Sequence, residues 1–312
     1  MDAPFAAAIR ERFGELSFLG EDGSGPVWGG LDRRSKQLVR VRALTGRSPE
    51  EVARIVREAG VLTHLTHLGL ERVLEAGPGD ERHAPYLMVE HLEGETLADR
   101  MAGHVHTSLE EALVIGEQLA AALAALHGVG GAHRGFRAAW AVYLGHGAVK
   151  VGGAGLAEGP ADTPGDQYAL GLVVYELIAG KPAQVPPLPL TEAFPGVPRD
   201  VDAAVMRALA ADPVERFARM ADFAQALREA HARLTGAPLF ALPPGGVMGP
   251  GPVRTRRRRG GSFSGRGFSL PVLPVADPGI LAAISDGVLL VVRAGKTQRK
   301  TVAQAQALLA QM

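Results

Sequence analysis

The sequence predicts an α+β fold of two lobes, a β-rich N-terminal lobe followed by a helical C-terminal lobe. Three observations predict it. Short β-branched runs separated by glycines fill residues 13–44, as in strands joined by tight turns. Apolar residues at helical spacing dominate residues 107–234. A stretch rich in Pro, Gly and Arg then follows, which cannot bury enough apolar surface to fold. The predicted organisation is a domain over 13–234 (N-lobe 13–90, C-lobe 91–234), a linker over 235–269 and a short C-terminal β/α segment over 270–312.

Composition excludes several classes of function. Lys plus Arg and Asp plus Glu both number 33, so net charge gives no reason to expect a specific nucleic-acid partner or a membrane surface. The absence of cysteine excludes disulfides, thiolate zinc sites and a cysteine nucleophile. No secretory signal begins the chain, and the longest apolar stretches, 168–180 and 279–292, are shorter than the roughly 20 residues of a membrane span. We therefore expect a cytoplasmic protein without a transmembrane segment.

The N-terminal lobe combines strand signals with one helix. Residues 38–44, LVRVRAL, alternate as a strand does. A helix should begin after Ser48, because Ser48 is an N-cap residue, Pro49 suits the first helical position and Glu51 completes a capping box. Two further strand signals follow, at 72–76 and 86–91.

The C-terminal lobe begins with a second capping box, Ser108-x-x-Glu111, followed by leucines at helical spacing down to His127. Residues 168–178 are apolar nearly all round, which is typical of a buried helix. Two amphipathic helices are predicted after it, at 201–210 and 222–233.

A glycine-rich loop precedes the first strong strand. Gly20, Gly25 and Val27 match three of the four positions of the protein-kinase loop G-x-G-x-x-G-x-V, and Asp22 stands where the middle glycine would be. Taken alone, this loop is better explained as a plain glycine hairpin, because such loops are common and the middle glycine is replaced.

Further motifs follow in the order found in bacterial Ser/Thr protein kinases, and the sequence resembles that family, in degenerate form, over about residues 13–234. The resemblance implies a two-lobed protein-kinase-like fold. Its motifs are VRVRAL at 39–44, Arg57-Glu58-Ala59, PYLMVEHLEGETL at 85–97, the catalytic-loop region at 121–144, VKVGGAGLAE at 149–158, the helix start at 166–171, and Asp212-Pro213-x-x-Arg216-Phe217.

The resemblance implies a candidate nucleotide site, with ATP as the candidate ligand. Its residues would be Gly20, Gly25 and Val27 of the glycine loop, Arg42 in the position of the ATP-binding lysine, Glu58 of the helix after it, and Glu90 and Leu92 of the hinge. Arg42 has two interpretations: a structural salt bridge to Glu58, or a contact to a phosphate. Guanidinium and ammonium are not interchangeable at a tight site, so the structural interpretation is preferred.

The residues that perform phosphoryl transfer are missing. Gly135 stands in place of the catalytic Asp, Trp140 in place of the metal-binding Asn, and Gly153 in place of the second metal-binding Asp. Glycine and tryptophan offer no oxygen to a hard cation, so magnesium and a metal site are not expected. Thirteen positions separate Gly153 from Asp166, which leaves little substrate-docking segment. The resemblance further implies that Asp166 braces the loop at 133–135.

Two features lie beyond the kinase-like region. The basic run Arg256–Arg259 suits weak contact with an anionic surface, although a solvated linker is the preferred interpretation. Residues 270–309 resemble the last part of the P-loop tyrosine autokinases of polysaccharide export. Gly295-Lys296-Thr297 lacks the glycine that begins a Walker A motif, because Leu290 stands in its place, so we predict a remnant or a small docking module there.

The sequence therefore predicts a pseudokinase that acts as a scaffold or regulatory module for other signalling proteins. Three alternatives remain open. The chain could be a nucleotide sensor that binds ATP without magnesium through residues 20–27 and the hinge. It could be an atypical active kinase in which Glu158 or Asp162 recruits the metal. It could also be the product of a decayed gene.

Overall fold

The structure is a computed structural model that describes residues 12–13, 16–22, 25–79, 84–157 and 162–236. The predicted linker beyond residue 236 and the segment at 270–312 lie outside the described residues, and so do Arg256–Arg259 and Gly295–Thr297. The proposed boundaries of these segments stay predictions. Within the described ranges, no helix is both long and apolar enough to cross a membrane.

The N-terminal lobe contains an antiparallel five-stranded sheet in the order β1-β2-β3-β5-β4. Its pairing aligns Val27 with Arg42 and Arg42 with Leu87. Because side chains alternate along a strand, Arg40 shares the face of Arg42. The strands are β1 Ser17–Asp22, β2 Gly25–Leu31, β3 Leu38–Ala43, β4 Val73–Gly77 and β5 Tyr86–Glu90.

Helix α1, Pro49–Leu62, packs against β4 and begins as the sequence predicts. The Ser48 hydroxyl accepts a hydrogen bond from the Glu51 N–H, and the Glu51 carboxylate accepts one from the Ser48 N–H at 2.9 Å. The two bonds satisfy N–H groups that the start of a helix would otherwise leave without partners. The buried face of α1 consists of Val52, Ile55, Ala59 and Leu62.

The C-terminal lobe is built around one long helix, α3, which packs against α4, α7 and β8. An ion pair between buried Glu117 and partly exposed Arg228 joins α3 to α7. The predicted helices are confirmed, but α4 begins five residues before position 168 because Asp162 caps it and Pro164 lies in its first turn. The helices are α2 Leu97–Ala102, α3 Leu109–Gly128, α4 Thr163–Ala179, α5 Leu190–Ala193, α6 Arg199–Ala208 and α7 Met220–Thr235.

The C-terminal lobe also contains a small sheet, and one parallel bridge connects that sheet to the N-terminal lobe across the cleft between the lobes. The sheet consists of β6 Glu95–Thr96, β7 Ala141–Gly145 and β8 Ala148–Val151, in that order, and the short 3-10 helix Ala138–Trp140 leads into it. Leu70 and Val151 form the bridge between lobes, in which the Glu71 N–H donates to the Val151 carbonyl at 2.8 Å. Glu71 therefore lies at the back of the cleft.

Candidate functional site

A buried ion pair occupies the cleft between the lobes. The Arg42 guanidinium donates to both carboxylate oxygens of Glu71, at 3.0 Å from Nη1 and 3.4 Å from Nη2. The two side chains are 3% and 4% exposed. Charges so deeply buried are stable only when they are paired, so the two residues hold each other in place.

Trp140 lies below this pair. Its ring centroid is 5.8 Å from Arg42 Cζ, within range of a cation–π contact, and 6.0 Å from the centroid of the His133 ring. Gly153 allows the ring this position, since a Cβ there would lie 2.5 Å from Trp140 Cζ3. The Gly153 N–H in turn donates to Glu71 Oε2 at 3.3 Å. Arg42 thus contacts both a carboxylate and an indole in the cleft.

A second arginine reaches the hinge. Arg40 lies two residues before Arg42 on the same face of β3, and its Nη2 donates to the Leu92 carbonyl at 2.5 Å. Leu92 is itself buried. One backbone group of the hinge is therefore bonded to a side chain of the strand above it. Sequence reasoning missed this contact, although the alternation of LVRVRAL already placed both arginines on one face.

The other predicted hinge residue, Glu90, is also engaged within the protein. Its Oε1 accepts from Lys150 Nζ at 2.5 Å and from the Arg72 N–H at 2.8 Å. Lys150 belongs to β8 of the C-terminal lobe, so this ion pair connects the two lobes at the hinge.

The predicted salt bridge between Arg42 and Glu58 is wrong. Glu58 is held by Arg134, whose Nη1 and Nη2 donate to its two oxygens at 2.8 and 2.9 Å. Arg54, one turn earlier on α1, adds a bond at 3.3 Å. Arg42 of β3 is neutralised by Glu71 in the cleft. Glu58 therefore pairs with Arg134 of the loop below. The sequence signal was an acidic residue at position 71, directly after the buried Leu70, and it was overlooked.

Asp166 braces the loop below the cleft, as predicted. Its buried carboxylate accepts from the N–H groups of His133 and Arg134 at 2.7 and 2.8 Å, and contacts His127 Nε2 at 2.9 Å. The His133 ring is fully buried, its Nε2 is 2.8 Å from the Gly152 carbonyl oxygen, and burial lowers its pKa below 6.5. A neutral ring that donates to this carbonyl fits these contacts.

The loop ends in a glycine. Gly135 follows Arg134 and carries no side chain, and a Cβ there would lie 3.2 Å from that of Ala157. Asp162, one of two carboxylates considered for a metal, accepts the Gly165 N–H at 2.8 Å as the cap of α4. The other, Glu158, lies outside the described residues. Within the described part of the chain, no group of three His, Cys, Asp or Glu side chains could hold a metal ion.

The glycine loop is a hairpin between β1 and β2. Asp22 pairs with Gly25, and Gly20 pairs with Val27. Both glycines have φ of 126°, a conformation that side chains rarely adopt. Val27 is buried on the cleft side of the sheet. The hairpin fits either interpretation of this loop, and residues 23–24 at its tip lie outside the described residues.

Comparisons with known proteins agree with this architecture. No family model matches the chain. It is 26% identical over 253 residues to a probable serine/threonine-protein kinase of Clostridium perfringens, covering 67% of this chain and 37% of that protein. It is 25% identical over 279 residues to the serine/threonine-protein kinase PknB of Mycobacterium leprae, covering 74% and 44%. The chain thus spans less than half the length of these curated relatives.

The fold is also similar to a solved structure. The crystal structure of the Mycobacterium tuberculosis PknI kinase domain matches with a TM-score of 0.58 and 26% identity, over 70% of this chain and 97% of that one. The two-lobed fold and the resemblance stated from the sequence are confirmed. The resemblance of residues 270–309 to tyrosine autokinases stays a prediction.

Proposed function

Starting from the premise that this chain has the protein-kinase fold and is similar to bacterial Ser/Thr protein kinases, we propose that it is a catalytically inactive signalling module that works by binding other proteins. One observation carries the catalytic half of the proposal. The Arg42–Glu71 pair is buried and Arg42 contacts Trp140, and the resemblance assigns positions 42 and 140 to the phosphate-binding lysine and a metal-binding Asn. Partner binding is the function that a folded but inactive kinase domain retains.

Phosphoryl transfer depends on positioning and on charge stabilisation by magnesium. Magnesium requires oxygen ligands in near-octahedral geometry, and Gly135, Trp140 and Gly153 supply none from their side chains. Glu71 supplies a carboxylate in the cleft, but its oxygens already accept from Arg42. Recruiting Glu71 to a metal would break a buried pair, at a cost on the order of 3–5 kcal/mol.

A nucleotide sensor needs hinge groups that are available to hydrogen-bond the base. It also needs a cationic side chain that is available to bind the phosphates. The contact of Arg40 with the Leu92 carbonyl and the engagement of Glu90 by Lys150 both count against it. Arg42 would also have to leave Glu71 before it could meet a phosphate. The atypical-kinase alternative is weakened by the role of Asp162 as a helix cap.

Phosphate transfer from radiolabelled ATP tests the proposal that the protein is catalytically inactive. The full-length protein would be incubated with magnesium or manganese and casein, beside the double variant Arg42→Met with Glu71→Leu, which leaves no charge of the pair buried. We expect no incorporation above that of a heat-denatured sample, and no difference between the two proteins. Incorporation that the two substitutions abolish would show that the cleft performs the chemistry, and the proposal would fail.

A further inference from the structure

A proline-rich loop connects α4 to α5 in the C-terminal lobe and has no role in the site described above. It reads KPAQVPPLP over residues 181–189 and ends in the pattern Pro-x-x-Pro at Pro186–Pro189. The preceding Val185–Pro186 peptide bond is cis. Four prolines within nine residues restrict the backbone strongly, because each fixes its own φ near −65°.

Both ends of this loop are anchored. On the α4 side, Gly180 ends the helix in the left-handed conformation, and the Ala183 N–H donates to Glu176 Oε1 at 3.1 Å. On the α5 side, Leu190 is fully buried and its N–H donates to Asp202 Oδ1 at 2.6 Å. The segment between these anchors is therefore displayed in a defined place.

The middle of the loop is apolar and exposed. Val185 is 77% exposed and Leu188 is 53% exposed, which makes them two of the most exposed large apolar side chains among the described residues. Leaving two such side chains in water gives up the stabilisation that burial would provide, so covering them on association would be favourable.

The backbone of this stretch is suited to recognition. Among the described residues, Val185–Leu188 form no backbone hydrogen bond with the rest of the protein. Pro189 has φ −49° and ψ 135°, which lies near the polyproline II region. Polyproline II segments have no internal hydrogen bonds, so their carbonyl groups can accept from a partner.

We propose that residues 186–189 are a docking ligand for a protein partner whose groove is lined with aromatic side chains and takes a Pro-x-x-Pro segment. Such grooves bind prolines between aromatic rings and accept apolar side chains beside them. Because three of these residues are prolines and the loop is anchored at both ends, less conformational entropy would be lost on binding than for a free peptide. This inference rests on the partner-binding half of the proposed function and is independent of the catalytic half.

A surrogate partner tests whether the loop can bind such a groove while the protein is folded. The probe is a recombinant WW domain selected to bind a synthetic VPPLP peptide, titrated with the full-length protein while its tryptophan fluorescence is recorded. We expect saturable binding with a Kd within about tenfold of that for the free peptide. The substitution Leu188→Ala should weaken binding by about tenfold or more, because it removes an exposed apolar contact.

Val214→Ala is the matched control, since Val214 is 88% exposed on a different loop and should leave binding unchanged. Circular dichroism would show that both variants keep the native fold. If the probe binds the free peptide but not the protein, or binds the Leu188→Ala variant equally well, the docking inference is wrong. Either result would leave the phosphate-transfer assay unaffected, so failure of this inference is distinguishable from failure of the catalytic proposal.

Discussion

Substituting Glu71 by glutamine should destabilise the fold strongly although the change in volume is small. The amide would keep the shape of the side chain but remove its negative charge. The positive charge of Arg42, whose side chain is 3% exposed, would then face a neutral amide in place of a carboxylate. Burial of a charge without its counterion is one of the largest single costs in a protein interior.

The size of the effect follows from this burial. Breaking a buried ion pair by removing one partner costs about 3–5 kcal/mol. Because Arg42 keeps the contact with the Trp140 ring, the lower end, about 3 kcal/mol, is expected for Glu71→Gln. Replacing both charges with apolar residues, Arg42→Met with Glu71→Leu, should recover most of that loss, since no charge is then left buried.

Urea unfolding followed by tryptophan fluorescence is a suitable assay, because Trp140 is one of only two tryptophans and contacts the pair. Asp200→Asn is the control. It removes the surface ion pair with Arg233, whose side chain is 60% exposed, and should cost at most about 1 kcal/mol. If Glu71→Gln cost no more than this control, the claim that the buried pair organises the cleft would be refuted.

Three further predictions concern the same region. Asp166→Ala should lower the free energy of unfolding by at least about 2 kcal/mol in urea titrations, because the N–H groups of His133 and Arg134 lose their acceptor. Gly153→Ala should cost at least about 2 kcal/mol by the same measurement, since its φ is 72° and its Cβ would overlap the Trp140 ring; an unchanged midpoint would contradict the packing described. Burial lowers the pKa of His133 below 6.5, so the unfolded state binds a proton that the folded state excludes, and stability should fall as the pH drops below about 6.5. Urea midpoints at pH 7.5 and 5.5 should differ less in a His133→Gln variant than in the unsubstituted protein.

Local signals in the sequence were sufficient to predict most of the fold. The capping boxes at Ser48 and Ser108 specify where two helices begin, because the residues that cap them are neighbours in sequence. The alternation of residues 38–44 identified β3 in the same way. The start of α4 was placed too late, since the search for apolar periodicity passed over the polar first turn that Asp162 caps.

The contacts of the site were less predictable because they join residues distant in sequence. The losses at Gly135, Trp140 and Gly153 could be read from motif positions alone. Motif positions do not show which carboxylate meets which arginine, and Glu71 belongs to no motif. The Arg42–Glu58 pair was expected from the family pattern, whereas the structure pairs each of these residues with a different partner, Glu71 and Arg134.

We infer that the protein's own side chains engage the groups with which a kinase cleft would bind a nucleotide. Isothermal titration calorimetry of the full-length protein with ATP, with magnesium and again with a chelator, tests it most directly. The account predicts no saturable heat at millimolar ATP in either condition, because Arg40 engages the Leu92 carbonyl and Arg42 engages Glu71. Saturable binding of ATP in either condition would contradict it and would favour the nucleotide sensor.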